Sequence, residues 1–135
     1  MTTLPNRFTA LAPKILGIMR FISGVMFTCY GAQKLFGAFG GIPPGAPAYV
    51  VYIAGTIELV GGALIAIGLL TRAAAFLSSG LMAAAYFMGH ASGGFWPHAN
   101  GGELAVLYCW LFLYIAAAGA GAFALDNLIW RKRSV

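Results

Sequence analysis

Long apolar runs alternate along the chain with short segments of glycine, proline and charge. A helix of roughly 20 apolar residues crosses a bilayer, and four runs come near that length, at about 15–36, 49–70, 73–89 and 104–125. The pattern predicts an all-α fold: an integral membrane four-helix bundle, folded as a single domain over residues 1–135. The first run is longer than a signal-peptide core and no cleavage site follows it, so it is expected to stay in the protein. Short connections make sequential helices antiparallel neighbours.

Lysine and arginine orient this bundle. With four spans, the termini and the turn Leu70-Thr71-Arg72 share one side, which holds Arg7, Lys14, Arg72 and the tail Arg131, Lys132, Arg133. The opposite side has only Lys34, so the positive-inside rule places the termini in the cytoplasm. Inside the runs, Gly17, Gly24 and Gly31 recur every seven residues and form a seam where another backbone can approach. Gly55, Gly61 and Gly62 in the second run and Gly119 and Gly121 near the end of the fourth suit the same purpose. Two loops echo each other, Gly40-Gly41-Ile42-Pro43-Pro44 and Gly93-Gly94-Phe95-Trp96-Pro97, in the shared vocabulary of turns. Phe95, Trp96 and Trp130 fit an interfacial aromatic belt.

Composition agrees with the pattern. The chain is 61% hydrophobic and 8% charged, where a soluble domain carries about a quarter charged residues. The net charge of +5 is dispersed at the edges of apolar runs and gathers on no face, which excludes nucleic acid as a partner and leaves membrane lipid.

Ionisable groups within a hydrocarbon layer are costly and normally face the bundle interior. Glu58 lies near the middle of the second run, between Gly55 and Gly62 on the close-packed face. Arg20 lies inside the first run, on a stripe with Phe27 and Lys34. Arg20 with Glu58 and Arg20 with Asp126 are competing pairings, and a buried pair that only fixes helix register suits the same residues. The third run has a polar stripe, Arg72, Ser79, Tyr86 and His90. The fourth offers Glu103 and Tyr108. Lys34, His90, His98, Asn100 and Glu103 are expected to meet as a polar cap at the loop end of the bundle. The histidine spacing demands no metal, and no haem, flavin, iron–sulfur or phosphate-binding motif is present. Cys29 and Cys109 lie at similar depths and could become neighbours; they equally suit the role of small apolar residues.

Taken in order, Arg20-x-x-x-Gly24, Gly31-Ala-Gln-Lys34-Leu-Phe-Gly37, Glu58-x-x-Gly61-Gly62, Gly68-Leu-x-Thr71-Arg72 and the stretch from His90 through Gly94-Phe95-Trp96 to Glu103 and Leu107-Tyr108-Cys109 resemble the DoxX family. The resemblance runs from about Arg20 to Asp126. One departure is Tyr30, where family members often have histidine. The resemblance implies a small multi-pass protein of the bacterial inner membrane. Some relatives are subunits of a thiosulfate:quinone oxidoreductase, and others accompany oxidative or thiol stress.

The leading expectation is a membrane subunit of a redox system near the quinone pool. Glu58 and Glu103 would be its catalytic carboxylates, with Arg20, Lys34, His90, Asn100 and Tyr108 on the substrate. Quinone reduction takes two electrons and two protons, so carboxylates, phenol and imidazole serve as relays while a cation steadies the reduced oxygen. No cofactor is identified, so a partner subunit or a bound substrate supplies the electrons. The alternative is a structural or assembly subunit of a larger membrane complex with no catalysis of its own; in either reading a partner subunit or a homo-oligomer is expected. A carrier ranks last because no broken-helix pair is visible.

Overall fold

The computed structural model describes residues 6–42 and 44–131. Pro43 of the first loop and Lys132 and Arg133 of the basic tail lie outside the described residues. The described chain is all-α, with no strand. Helix α1 (Arg7–Phe36) starts under Asn6, whose side chain accepts the Phe8 N–H at 3.0 Å. That cap brings polar first turns into the helix, which therefore begins before the apolar run does. Helix α1 ends at Gly37, where a φ of 69° suits glycine.

Helix α2 (Val50–Ile67) opens into π-helical turns at Val50–Ala54 and Ile57–Gly61 and ends at Ile67 before Gly68, three residues short of the expected end. Helix α3 (Thr71–Gly89) follows directly. A 3-10 turn (Ala91–Gly93) and the single-turn α4 (Pro97–Asn100) lead into α5 (Glu103–Ala118), and α6 (Leu125–Arg131) completes the described chain.

The glycine seam joins α1 to α2 in antiparallel register. A Cβ on Gly24 would lie 2.7 Å from the Ala66 Cα and 2.8 Å from the Gly62 oxygen, and one on Gly31 would meet the Leu59 backbone. Gly17 instead faces the Ala122 backbone. The stripe on α3 joins it to α5, also antiparallel. Arg72 donates to the Ala116 and Ala117 carbonyls, and Ser79 to the Cys109 carbonyl. All four long helices meet around Phe27, Ile65, Ala75 and Phe112, each fully buried.

The fourth apolar run does not continue as helix to residue 125. Helix α5 ends at Ala118 because Gly119 and Gly121 take positive φ angles of 95° and 70°. The carbonyls freed between 120 and 123 then bond to Arg20, so the break is stabilised by a side chain from α1.

By length and composition, Arg7–Phe36 and Val50–Ile67 can cross a membrane, whereas α5 is apolar but has 16 residues. Only 28% and 33% of the most apolar windows of those two helices are buried, and many of their apolar side chains, among them Ile18, Phe21, Ile22, Tyr52, Ile53 and Val60, face outward. A soluble core helix would turn them inward.

Candidate functional site

The seam that lets α1 approach α2 also brings Lys34 to Glu58. The Lys34 Nζ donates to both carboxylate oxygens, at 2.7 and 2.6 Å. The Glu58 side chain is 4% exposed and that of Lys34 16%, so the pair is nearly closed off. Glu58 sits in the second π-helical turn, where the extra residue per turn re-aims side chains; such turns recur at functional sites. Lys34 also lies 5.9 Å from the centre of the Tyr30 ring.

Tyr30 leads inward to an aromatic column. Its ring meets Tyr108 edge-on at 6.4 Å, Tyr108 stacks on Phe112 at 5.3 Å, and Phe27 completes the cluster. Tyr108 is 5% exposed and its hydroxyl, like that of the fully buried Ser78, has no hydrogen-bond partner. Buried hydroxyls are normally satisfied, so such orphans need a reason.

The other expected residues separate into two groups. His90 and Asn100 belong to a network at the loop end. Asn100 donates to the Gly94 carbonyl at 2.7 Å and to the Tyr86 hydroxyl, and accepts the Gly102 N–H at 2.8 Å; the His90 Nδ1 lies 3.3 Å from the Asn100 carbonyl. Tyr86 donates to the Phe95 carbonyl. Lys34 does not join this network, since Glu58 holds it. His98 and Glu103 are exposed, Glu103 on the first turn of α5.

Neither pairing expected of Arg20 forms. All five of its N–H donors go to backbone carbonyls: Ile65 and Ala66 at 2.6 Å, Ala120 at 2.8 Å, Phe123 at 3.1 Å and Ala122 at 3.2 Å. Asp126 caps α3 instead, accepting the Leu70 and Thr71 N–H groups at 2.8 and 2.9 Å. Cys29 and Cys109 are both free thiols; Cys109 lies 3.6 Å from the Ser79 hydroxyl on the α3 side. Among the described residues, no group of three or more His, Cys, Asp or Glu is arranged to hold a metal ion.

Asp126 lies beyond the last apolar run and gives a pH dependence. Burial raises its carboxyl, but hydrogen bonds from Thr71, Leu70 and Trp130 outweigh burial and hold it below its ordinary 3.8. A depressed folded value means that the stabilisation is complete above the unfolded value and is lost as pH falls through the folded one. Asp126→Asn keeps one acceptor oxygen and loses the other hydrogen bond with the charge, so it is expected to destabilise the protein by about 1 kcal/mol at neutral pH. Thermal unfolding in detergent should show that difference from wild type shrinking below pH 3.8. A difference that stays constant down to the acid limit would rule out the capping carboxylate as its source.

Apolar outward faces, antiparallel helices joined along a glycine seam and polar groups gathered between them give the chain the build of a small helical membrane protein. The DoxX family model matches residues 15–91, and the chain belongs to the DoxX family, which is membrane-associated. It is 42% identical to a Haemophilus influenzae protein named "Uncharacterized protein", over 94% of this chain and 99% of the relative. It is 28% identical to a Bacillus subtilis protein named "Putative oxidoreductase CatD", over 86% of this chain and 87% of the relative. No solved structure matches.

Proposed function

We propose that this chain is the membrane subunit of a redox system that works near the quinone pool of a bacterial inner membrane. In this reading it is a single-domain bundle of four membrane-spanning helices (α1, α2, α3 and α5), with cytoplasmic termini. Lys34, His90 and Glu103 then lie towards the opposite side.

The observation that carries the proposal is how the buried polar groups are committed. Arg20 and Ser79 donate to backbone carbonyls and hold the fold together. Lys34 and Glu58 bond to each other through their side chains, and the Tyr108 hydroxyl bonds to nothing. These three supply a carboxylate that can pass a proton, a cation that can steady a reduced oxygen and a phenol that can donate to a carbonyl. Such a set suits an electron- and proton-accepting head group, and the oxidoreductase name of the Bacillus subtilis relative agrees with it. Glu103, His90 and Asn100 form the polar surface of the same end, where protons would enter. Electrons come from a partner subunit or a reduced substrate.

The structural-subunit reading also has an observation behind it: outward faces of α1, α2 and α5 offer a broad apolar surface to other helices. Purification in mild detergent, with mass spectrometry of bound small molecules and co-purifying chains, separates the two. Bound quinone that is lost in Glu58→Gln is the expected result. A stoichiometric large complex in which this chain retains no quinone would establish the structural role instead.

A further inference from the structure

The break that ends α5 leaves a cavity of about 820 Å³ at the end of the bundle where α3 begins. Its volume is in the range of ligand sites, roughly 300–1,000 Å³. One wall is the start of α3, with Arg72 and Ala73. Another is the break itself, with Gly119, and the third is α6, with Asp126, Asn127, Trp130 and Arg131.

Only part of Arg72 is committed to the fold. Its Nη1 donates to the Ala116 and Ala117 carbonyls at 2.8 and 2.6 Å and ties the end of α5 to α3. The three N–H groups on Nε and Nη2 have no acceptor among the described residues. The fork lies over Gly119, where a Cβ would come within 3.0 Å of Nη2, so the glycine leaves it room. The carboxylate in the cavity is already used: Asp126 accepts the Leu70 and Thr71 N–H groups, and the start of α3 offsets its charge. With Arg72 and Arg131 both present, the lining is net positive.

Helix α6 sets the level at which this charge sits. Asp126, Asn127, Trp130 and Arg131 wall the cavity, whereas Leu125, Leu128 and Ile129 do not line it and are exposed. Apolar residues at i, i+3 and i+4 opposite a polar, basic face are the pattern of a helix that lies in the headgroup layer of a membrane. Along α3, Ala73 starts an exposed apolar stripe that Phe76 and Leu77 continue. A surface for acyl chains therefore begins at the cavity wall.

We infer that this cavity binds the phosphate of an anionic phospholipid, held between Arg72 and Arg131, with the acyl chains along α3. A planar guanidinium matches phosphate oxygens in pairs, and Trp130 suits the headgroup level. A zwitterionic lipid is held less well, because its ammonium meets two arginines and no uncommitted carboxylate. A second copy of this chain is a poorer occupant still. Of its three acidic residues, Glu58 is closed inside the seam, Glu103 opens α5 at its far end and Asp126 is in the cavity itself. Such a site needs only the membrane association of the family and is independent of the redox reading.

The test uses the full chain, delipidated in detergent and titrated with single lipids, with bound lipid counted by native mass spectrometry. The probes are phosphatidylglycerol, phosphatidylcholine with the same acyl chains, and glycerol 3-phosphate, which carries the anion without the chains. Three variants each remove one positive charge from this end of the bundle: Arg131→Gln and Arg72→Gln from the cavity, and Arg7→Gln from the start of α1, outside it. Wild type is expected to prefer phosphatidylglycerol to phosphatidylcholine by on the order of 10-fold. Each cavity variant should lose about 5-fold in phosphatidylglycerol affinity, the worth of one basic side chain near an anionic headgroup, while Arg7→Gln stays close to wild type. Arg72 also holds α5, so if Arg72→Gln does not fold, Arg131→Gln decides. Unchanged affinity in Arg131→Gln, an equal loss in Arg7→Gln, or no preference between the two lipids would each overturn the inference. Glycerol 3-phosphate bound as tightly as phosphatidylglycerol would make this a site for a soluble phosphate ester and overturn the lipid assignment.

Discussion

Replacing Arg20 with methionine is expected to leave little folded protein. The guanidinium is 1% exposed, and its five donors satisfy carbonyls from two different parts of the chain. Methionine fills much of the volume and offers no donor. Each carbonyl left buried and unpaired costs about 1–3 kcal/mol. Water can reach some of those near residues 120–123, and removing a buried charge returns part of the loss, so a net 3–5 kcal/mol is the expected scale. Against a typical total stability of 5–15 kcal/mol this is a large fraction. The measurement is the yield of monodisperse protein in detergent, with thermal unfolding of whatever is recovered. Arg20→Lys should fare little better, because an ammonium has three donors and no planar fork. Wild-type stability in either variant would show that the break between α5 and α6 holds without its arginine.

The second large effect belongs to the Lys34–Glu58 pair. Lys34→Met leaves a nearly closed carboxylate without its cation, which costs about 3–5 kcal/mol when a buried pair loses one member. The reverse variant, Glu58→Leu, should be milder, since the four-carbon stem of Lys34 can carry its ammonium towards the surface. The double variant Lys34→Met/Glu58→Leu removes both charges and fills the site with apolar bulk. It is expected to recover most of the lost stability, as apolar replacements of buried pairs often do. Unfolding of all four proteins closes the cycle and gives the coupling energy. The cycle also separates function from structure. If the pair handles protons for a bound substrate, the double variant folds but does not retain or reduce quinone. Full recovery of both stability and quinone handling would make the pair a packing device.

How much of this was legible in the sequence depends on what sets each feature. Steric features were readable. Glycines spaced by seven have no other use in an apolar helix than close approach, and Gly24 and Gly31 do lie against α2. The polar stripe of α3 was readable for the same reason: period fixes the face, and Arg72, Ser79, Tyr86 and His90 all turn towards α5 or the loop preceding it.

Partners were harder, because a charge was expected to seek an opposite charge. Arg20 found carbonyls instead, two at the end of α2 and three supplied by a helix break that hydropathy hardly registers, since residues 119–124 carry no charged or strongly polar side chain. The clue was Gly119 with Gly121, which also permits positive φ. The Lys34–Glu58 pair was missed because Lys34 was assigned to the polar cap by its position at the helix end. Setting the seams of α1 and α2 antiparallel would have placed the two within about a turn of each other. The π-helical turns of α2 have no signature in composition, and the cavity between α3 and α6 depends on how the break turns the chain, which no local pattern records.

The arginine of α1 also fixes an order of events. Arg20 is made long before most of its acceptors, with 45 residues separating it from Ile65 and 100 from Ala120. Until residue 65 is made its fork has none of its native acceptors, and from there until residue 120 it has only the α2 carbonyls. Residues 120–123 are therefore the clasp of α1, and a protein halted before residue 120 lacks the acceptors that complete the Arg20 set.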